Sequence, residues 1–333
     1  MIARIRLLLY ESYTQLPLVE FMSQSEKHEQ RPTARLDGLY PIRTVANLTG
    51  VNPVTLRAWE RRYKLIVPKR TPKGHRLYTS QDIEQIRKVL ELLDQGISIG
   101  QVKGIVGHPD GPATAPTGDS RDVWQHYRER MLAATEQFDE PSLDAAYNDA
   151  LSLYPIDLVN SRLTAPLLRS FGERWKEHSK VVAEEHFFSF YLRNKLGARF
   201  HHLNQRSNGP LLLLACLPGE YHEIGMLFFA LAAVNRGYRV LPLGANMPLE
   251  LIPEVVDKQP CQAVVLSGSA RPARGVLQET LPRLVRQLDI PVVVGGAVTE
   301  RYGDAVDATG AFTTGKEIQP ALKQLAEILA SAA

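Results

Sequence analysis

Residues 51–83, VNPVTLRAWERRYKLIVPKRTPKGHRLYTSQDI, contain the pattern that decides the fold of the first domain. Asn52 is a good helix cap and Pro53 suits a first helical turn, so a helix opens here, directly after a turn at Gly50. A loop rich in Pro, Gly and basic residues follows, and a Ser or Thr near residue 80 caps the next helix. Short helices around a turn, followed by a basic loop, predict a winged helix-turn-helix.

The positive charge of the chain is concentrated in the same segment. The 333 residues carry 39 Lys and Arg against 36 Asp and Glu, a net charge of +3. Residues 35–106 hold 13 of the basic and 6 of the acidic residues, whereas residues 107–333 hold 22 basic and 26 acidic ones. A cationic module on a mildly acidic body indicates a nucleic-acid-binding domain joined to a part with another task. Charge alone leaves a second interpretation open, a solvated surface without a partner.

The quoted residues resemble the DNA-binding signature of the MerR family, in which Thr-Leu-Arg-x-(aromatic)-Glu leads to Pro-x-Arg-x-x-x-Gly-(aromatic or His)-Arg-x-Tyr. The spacing from Thr55 to Tyr78 is kept. The resemblance implies a double-stranded DNA operator as partner, with the second helix in the major groove and the basic loop along the backbone. The residues expected to contact DNA are Thr55, Arg57, Arg61, Tyr63, Arg70, Lys73, His75 and Arg76.

Three positions in this motif need separate comment. Lys64 stands where the family usually has Gly after Tyr, and in a left-handed conformation Lys would add about 1 kcal/mol of strain. Trp59 stands where many family members have Tyr. For Trp59 and Tyr63, packing in the small core of the domain is an alternative to DNA contact.

Two stretches dense in Pro, Gly and polar residues divide the rest of the chain. The predicted fold class is multi-domain, with a mostly α winged helix-turn-helix, a four-helix bundle and an α/β Rossmann-like domain. Met22, which begins a polar part of the tail, is an alternative start codon to Met1. The predicted divisions are an N-terminal tail over 1–36, the winged helix-turn-helix over 37–106, a linker over 107–121, the bundle over 122–204 and the α/β domain over 208–331.

The composition argues against a membrane or secreted protein. No apolar run approaches the ~20 residues of a transmembrane helix, and the start of the chain lacks the length and cleavage site of a signal peptide. Cys216 and Cys261 lie in apolar surroundings, with no further thiols to complete a metal knuckle. They predict buried free thiols in a reducing cytoplasm.

From residue 208 onward, short β-runs alternate with helical stretches, which predicts a parallel sheet with binding loops at the strand ends. Glu220, His222 and Gly225 form a Glu-x-His-x-x-Gly sequence after the first strand. A His whose second nitrogen is held by a carboxylate can serve as a metal ligand. Taken alone, such a His is more often a capped surface residue.

Two later strand ends add to this pattern: a Ser-Gly-Ser turn follows AVVL, and Gly-Gly follows PVVV. Together the three motifs resemble the cobalamin-binding domain shared by methionine synthase and related corrinoid proteins. The resemblance implies that His222 replaces dimethylbenzimidazole as the lower axial ligand of cobalt and that Glu220 orients it. A plain Rossmann-like nucleotide domain is the alternative, although GxGxxG is missing. The residues expected around the nucleotide tail are Ser267, Ser269, Gly295 and Gly296, and Gly225 lets the following helix approach closely.

The middle segment contains RWKEHSKVVAEEHF over residues 174–187. It resembles the Trp-x(6)-Val-x-x-Glu-His motif of light-sensing MerR-type regulators of the CarH and LitR class. The resemblance implies a bundle that caps the upper face of adenosylcobalamin. Trp175 would pack over the adenosyl group, Val182 would line the pocket and Glu185 would help to hold the group. His186 would become the upper cobalt ligand after light cleaves the cobalt–carbon bond.

The leading interpretation is a cytoplasmic transcription factor that acts as a repressor and is not an enzyme. The resemblance implies a homo-oligomer, a tetramer in the dark, that binds DNA and dissociates in the light. A cobalamin-independent regulator that uses the same fold to bind a protein partner is the main alternative. A corrinoid-dependent methyltransferase component is disfavoured because the chain lacks the length for a substrate-bearing barrel.

Overall fold

The computed structural model describes residues 38–106, 123–174 and 181–332. The predicted tail over 1–36, the linker over 107–121 and Trp175 lie outside these residues. Within the described ranges the chain forms a winged helix-turn-helix, a helical bundle and a parallel α/β sheet, which confirms the predicted fold class. No helix in these ranges is long and apolar enough to span a membrane.

The winged helix-turn-helix combines short helices with a small antiparallel sheet. Its elements are β1 (Leu39–Pro41), α1 (Ile42–Thr49), α2 (Pro53–Ala58), β2 (Lys69–Arg70), β3 (Arg76–Thr79), α3 (Ser80–Asp94) and α4 (Ile99–Val106). A π-helical turn, Trp59–Tyr63, extends α2, and the strands have the order β1-β3-β2. Asn52 Oδ1 accepts a hydrogen bond from Val54 N at 2.8 Å, and Thr79 forms a reciprocal capping box with Asp82. Both predicted helix starts are therefore confirmed.

Lys64 ends the π-helical turn in the left-handed conformation, with φ 54° and ψ 31°. Its backbone N–H donates a hydrogen bond to the Trp59 carbonyl, which closes the turn. The side chain is exposed, so packing does not compensate for the unfavourable backbone. The strain expected from the sequence is therefore present at this position.

We expect Lys64→Gly to raise the free energy of unfolding by about 1 kcal/mol, because glycine adopts this conformation without a Cβ penalty. Urea unfolding followed by circular dichroism measures the change. The matched control is Lys88→Gly, an exposed site within α3, where glycine should lower stability by about the same amount. A loss of stability in both variants would contradict the assignment of strain to Lys64.

The middle of the chain is a bundle of four helical segments. They are α5 (Val123–Glu136), α6 (Glu140–Leu153), α7 (Ile156–Val159) continuing through a π-helical turn (Asn160–Thr164) into α8 (Ala165–Arg174), and α9 (Val181–Asn204). The core of the bundle contains fully buried Met131, Phe171 and Phe188. Trp124 packs against Tyr154 with ring centroids 4.5 Å apart and ring planes tilted by 52°. These large side chains belong to one continuous hydrophobic core that also includes Trp59 of the winged helix-turn-helix and Leu231 of the α/β part.

The last part of the chain is a five-stranded parallel sheet with connecting helices. Its elements are β4 (Leu211–Cys216), α10 (Ile224–Asn235), β5 (Arg239–Gly244), α11 (Ile252–Lys258), β6 (Ala263–Ser267), α12 (Leu281–Gln287), β7 (Val292–Gly295), α13 (Val298–Asp307), β8 (Phe312–Thr313) and α14 (Ile318–Ala332). The central strands are apolar throughout because helices cover both faces of the sheet. Short π-helical and 3₁₀ turns precede α12 and α11.

The strand order is β5-β4-β6-β7-β8, so the chain runs from β4 outward to β5 and then crosses back past β4 to β6. The carboxyl ends of β4 and β6 therefore flank a topological switch point, the usual place for a ligand in an open α/β sheet. Cys216 at the end of β4 is in register with Ser267 at the end of β6, and Ser267 with Gly295 of β7. The three motifs predicted to form a site thus lie at one edge of the sheet.

Candidate functional site

Glu220 lies at the switch point, in the loop after β4, and is only 4% exposed. Its Oε2 accepts hydrogen bonds from Ser269 N at 2.5 Å, Ser269 Oγ at 2.7 Å and Ala270 N at 3.1 Å. Its Oε1 accepts hydrogen bonds from His222 N at 2.8 Å and from the ring nitrogen Nδ1 at 2.7 Å. The carboxylate therefore ties the loop after β4 to the loop after β6. Burial acts to raise the pKa of Glu220, but hydrogen bonds from His222 and Ser269 outweigh it and lower the pKa to about 2.

His222 has one ring nitrogen fixed and one directed away from the carboxylate. Because Nδ1–H donates a hydrogen bond to the ionised Glu220, Nε2 of the neutral ring carries a lone pair that can bind a metal. The side chain is 65% exposed, so a ligand can reach it. The hydrogen bond to Glu220 raises the pKa of His222, against the opposing effect of burial. Protonation of Nε2 at acid pH therefore competes with metal coordination.

Glycines at the ends of β6 and β7 allow close contacts that a residue with a Cβ atom would prevent. Gly296 has φ 97°, and an added Cβ would lie 2.3 Å from the Gly268 carbonyl oxygen. An added Cβ on Gly268 would lie 2.9 Å from the Leu217 side chain, so neither position has room for a larger residue. At Gly225, in the first turn of α10, a Cβ would lie 4.0 Å from Ser267 Oγ. The loops after β6 and β7 therefore pack backbone against backbone, and we call this edge of the sheet, with Ser267 beside it, the floor of the site.

Helix α9 forms the opposite wall of an open cleft, which continues along the bundle as far as α1 and has a total volume of about 2740 Å³. Glu185 and His186 line this cleft together with His222, and His186 is 72% exposed. Glu185 Oε1 accepts a hydrogen bond from Ser189 Oγ at 2.7 Å, and its negative charge contributes to the raised pKa of His222. Arg193 Nη1 lies 3.4 Å from Glu223 Oε1 and so links α9 to the loop that carries the motif.

The structure brings most of the predicted cofactor residues together in this cleft. Among the charged residues Glu220 is the exception, since it is buried beneath the floor and accepts the hydrogen bond of His222 from below. Val182, expected to line the pocket, is 37% exposed one turn before His186 on α9 and is not among the residues that line the cleft. Trp175 lies outside the described residues. The predicted residues that line the cleft are Glu185, His186, His222, Gly225, Ser267, Ser269, Gly295 and Gly296.

Asn246 is a residue of this site that the sequence reasoning missed. It follows β5, has φ 50°, and its Oδ1 accepts a hydrogen bond from Gly219 N at 2.8 Å. Its own backbone N–H donates to the Glu220 carbonyl at 2.8 Å. The signal in the sequence was the Asn within GANMP, because Asn tolerates the left-handed conformation better than most residues.

The candidate DNA surface lies on the winged helix-turn-helix. Glu60 forms ion pairs with Arg76 and, at 2.7 Å, with Arg70, which fix the wing against the helix. Burial acts to raise the pKa of Glu60, but these two guanidinium groups outweigh it and lower the pKa. The predicted residues that are exposed on this surface are Arg57, Arg61, Arg70, Lys73 and His75, and Arg76 is half-buried.

Thr55 does not belong to the exposed basic surface. It is fully buried and its Oγ1 lies 3.5 Å from the Leu151 carbonyl oxygen of α6, while Trp59 Nε1 donates a hydrogen bond to the Leu153 carbonyl at 2.8 Å. Tyr63 is half-buried and packs against the same apolar core. In this conformation Thr55 is therefore a docking residue between the winged helix-turn-helix and the bundle, contrary to the expectation that it reads DNA. For Trp59 and Tyr63 the structure matches the packing alternative.

Comparisons with known proteins agree with the division of the chain into a DNA-binding part and a cofactor-binding part. Residues 40–108 match the family model of a MerR HTH family regulatory protein, and residues 127–199 match that of a B12 binding domain. The chain is 35% identical over 273 residues to the HTH-type transcriptional repressor CarH of Myxococcus xanthus, covering 79% of this chain and 90% of that protein. The chain belongs to the CarH family of transcriptional regulators.

Other similar proteins include a second Myxococcus xanthus repressor, CarA, with 29% identity over 81% of this chain and 91% of its own. Among solved structures, the monomethylamine corrinoid protein of Methanosarcina barkeri aligns with 61% of this chain and 99% of its own, at 17% identity and a TM-score of 0.49. Membership of the CarH family confirms the resemblances to MerR-type and cobalamin-linked regulators. The chain is a DNA-binding transcriptional regulator with a B12 binding domain.

The residues of the cleft fit a cobalt-centred macrocycle. A neutral imidazole with its second nitrogen held by a buried carboxylate is a well-oriented ligand for a transition metal. Gly268, Gly295 and Gly296 let the loop backbones of the adjacent floor approach one another closely, and all three line the cleft. The cleft therefore offers a donor of the type that suits the cofactor of the CarH family's B12 binding domain.

Proposed function

We propose that the protein is a cytoplasmic repressor that holds adenosylcobalamin between the bundle and the α/β sheet, and that light changes its oligomeric state and its affinity for DNA. One observation carries this proposal: His222, held from beneath by buried Glu220, and the Glu185–His186 pair line the same cleft from opposite walls. The 35% identity to the repressor CarH supports it independently.

The proposed cofactor residues divide by wall. His222 is the lower axial ligand of cobalt and Glu220 fixes its tautomer and orientation. On the side of the bundle, His186 is the upper ligand of the illuminated state. When bound, the cofactor supplies a cobalt–carbon bond that light cleaves. The residues proposed to hold the adenosyl group are Trp175, Val182 and Glu185, and those proposed to surround the nucleotide tail are Gly225, Ser267, Ser269, Gly295 and Gly296.

Physical contacts connect this cleft to the DNA-binding domain. The Arg193–Glu223 ion pair links α9 to the motif loop, so a displacement of α9 breaks it. At the other side of the bundle, the Trp59–Leu153 hydrogen bond links α6 to the extension of α2. A shift of the bundle therefore reaches the helix that carries Arg57 and Arg61, which is the two-state coupling that a light switch needs.

The proposed domain boundaries remain those drawn from the sequence, with the winged helix-turn-helix over 37–106, the bundle over 122–204 and the α/β domain over 208–331. We infer that the DNA operator lies along the exposed surface of Arg57, Arg61 and the wing. Several such surfaces in a dark tetramer would bind DNA together, and a monomer would lose that avidity.

The test is reconstitution of the full chain with adenosylcobalamin in the dark, followed by size-exclusion chromatography before and after green light. We expect a tetramer in the dark and a smaller species after illumination. Gel-shift titration with a DNA duplex selected from a random pool by the dark protein should show a parallel loss of affinity of at least tenfold. Methylcobalamin, which lacks the adenosyl group, is the control ligand. A colourless protein, or an oligomer indifferent to light, would contradict the proposal.

A further inference from the structure

Thr314 follows β8 directly and faces the same edge of the sheet as the glycine-lined floor. The residue is 4% exposed and belongs to the lining of the cleft. Its backbone N–H donates a hydrogen bond to the Val294 carbonyl at 3.1 Å. Its side-chain Oγ1 is buried and has no hydrogen-bond partner among the described residues. A buried hydroxyl without a partner costs free energy, so its position requires an explanation.

The surroundings of this hydroxyl point towards a ligand. A Cβ added to Gly295 would lie 3.0 Å from Thr314 Oγ1, so the hydroxyl lies directly against the bare backbone at the end of β7. The next residue, Gly315, has φ 71°, and its carbonyl accepts a hydrogen bond from Gly296 N at 2.9 Å. Thr314 is thus held beside the two glycines by the backbone hydrogen bonds of its own N–H and of Gly315, and its hydroxyl takes no part in them.

We propose that the Thr314 hydroxyl hydrogen-bonds to the sugar–phosphate of the cobalamin nucleotide tail. This inference rests on the proposed function, which assigns the Gly295–Gly296 floor to that tail. The ribose and phosphodiester of the tail offer oxygen acceptors, and a Thr hydroxyl is a donor that rotates to meet them. Thr314 is then a residue that distinguishes complete cobalamin from corrinoids without a tail.

A matched control exists in the same domain. Thr280, at the start of α12, also has a buried Oγ1 without a hydrogen-bond partner, but it does not line the cleft. Valine has nearly the shape of threonine without the hydroxyl, so it removes the unpartnered group at either site with little change in packing. Both Thr314→Val and Thr280→Val should therefore raise the melting temperature of the cofactor-free protein.

The decisive experiment is equilibrium titration of the full chain with adenosylcobalamin and with adenosylcobinamide, which lacks the nucleotide tail. We expect Thr314→Val to weaken binding of adenosylcobalamin about tenfold and to leave adenosylcobinamide unchanged, as one lost hydrogen bond predicts. Thr280→Val should bind both ligands as the unmodified chain does. Thr314→Ser, which keeps a hydroxyl, should recover most of the lost affinity.

Opposite effects of one substitution, a more stable apo-protein and a weaker complex, would not arise from a purely structural role. Equal losses for both ligands, no loss for either, or a less stable apo-protein would overturn the assignment of Thr314. Failure of the unmodified chain to bind adenosylcobalamin would overturn it together with the proposed function. Normal binding by the unmodified chain with no effect of Thr314→Val would overturn the assignment alone.

Discussion

Replacing His222 with alanine should change the visible spectrum of the adenosylcobalamin-loaded protein and weaken cofactor binding by about 100-fold or more. The absorption bands of a corrinoid depend on the nitrogen ligand below cobalt, and His222 offers the unprotonated Nε2 that the proposed site needs. Loss of a residue that merely orients a metal ligand costs about 10–100-fold in affinity, so loss of the ligand itself should cost at least as much. Absorbance titration in the dark measures both quantities.

Two further histidine variants make this result specific. His186→Ala should leave the dark spectrum unchanged and alter only the spectrum after illumination, because the two histidines are assigned to different faces of the cofactor. His126→Ala, on α5 outside the cleft, should change neither spectrum. An unchanged dark spectrum in His222→Ala would refute the lower-ligand assignment. A changed dark spectrum in His186→Ala would refute the division of roles between the two walls.

Features that depend on neighbouring residues could be predicted from the sequence. Asn52 caps α2 by accepting a hydrogen bond from the backbone N–H of Val54, two residues later. Thr79 caps α3 through its reciprocal hydrogen bonds with Asp82, three residues later. The Glu220–His222 pair is equally local, since both hydrogen bonds span two positions. The alternation of apolar runs with helical stretches gave the parallel sheet, and parallel strands necessarily bring their carboxyl ends to one edge.

Features that depend on distant parts of the chain could not be predicted in this way. Thr55 looks like a DNA-reading residue within its own motif, yet its burial is decided by α6, about a hundred positions further along. The second role of Glu220, as acceptor for Ser269 and Ala270, follows from the packing of β4 beside β6. The local sequence of Thr314 likewise gave no sign that its hydroxyl would be buried without a partner.

Replacing Glu220 with glutamine should lower the free energy of unfolding of the cofactor-free protein by roughly 3 kcal/mol near pH 6. The carboxylate accepts five hydrogen bonds, and the depression of its pKa from 4.5 to about 2 corresponds to a stabilisation of this order. A glutamine amide has one acceptor oxygen and one donor nitrogen. Whichever way it lies, its NH₂ group would face the N–H donors of either His222 or Ser269, leaving buried donors without acceptors.

The pH dependence of this difference follows from the two pKa shifts, which have opposite signs. Because the folded pKa of Glu220 is lowered, its contribution is complete above about pH 4.5 and is lost as the pH falls towards 2. Because the folded pKa of His222 is raised, its contribution is complete below its ordinary value of 6.5 and fades as the pH rises through the folded value. The difference between the unmodified chain and Glu220→Gln should therefore be largest between about pH 4.5 and 6.5 and decline on both sides.

Urea unfolding of the apo-protein at a series of pH values between about 3 and 9 measures that profile directly. Glu250→Gln, at an exposed position before α11, supplies the control, because the same chemical change there removes no buried hydrogen bonds. If the loss in Glu220→Gln were the same at every pH, it would reflect packing and not charge. A loss that declines above pH 6.5 would instead show that His222 is held by the ionised carboxylate before any cofactor binds, so that the ligand is already oriented in the apo-protein.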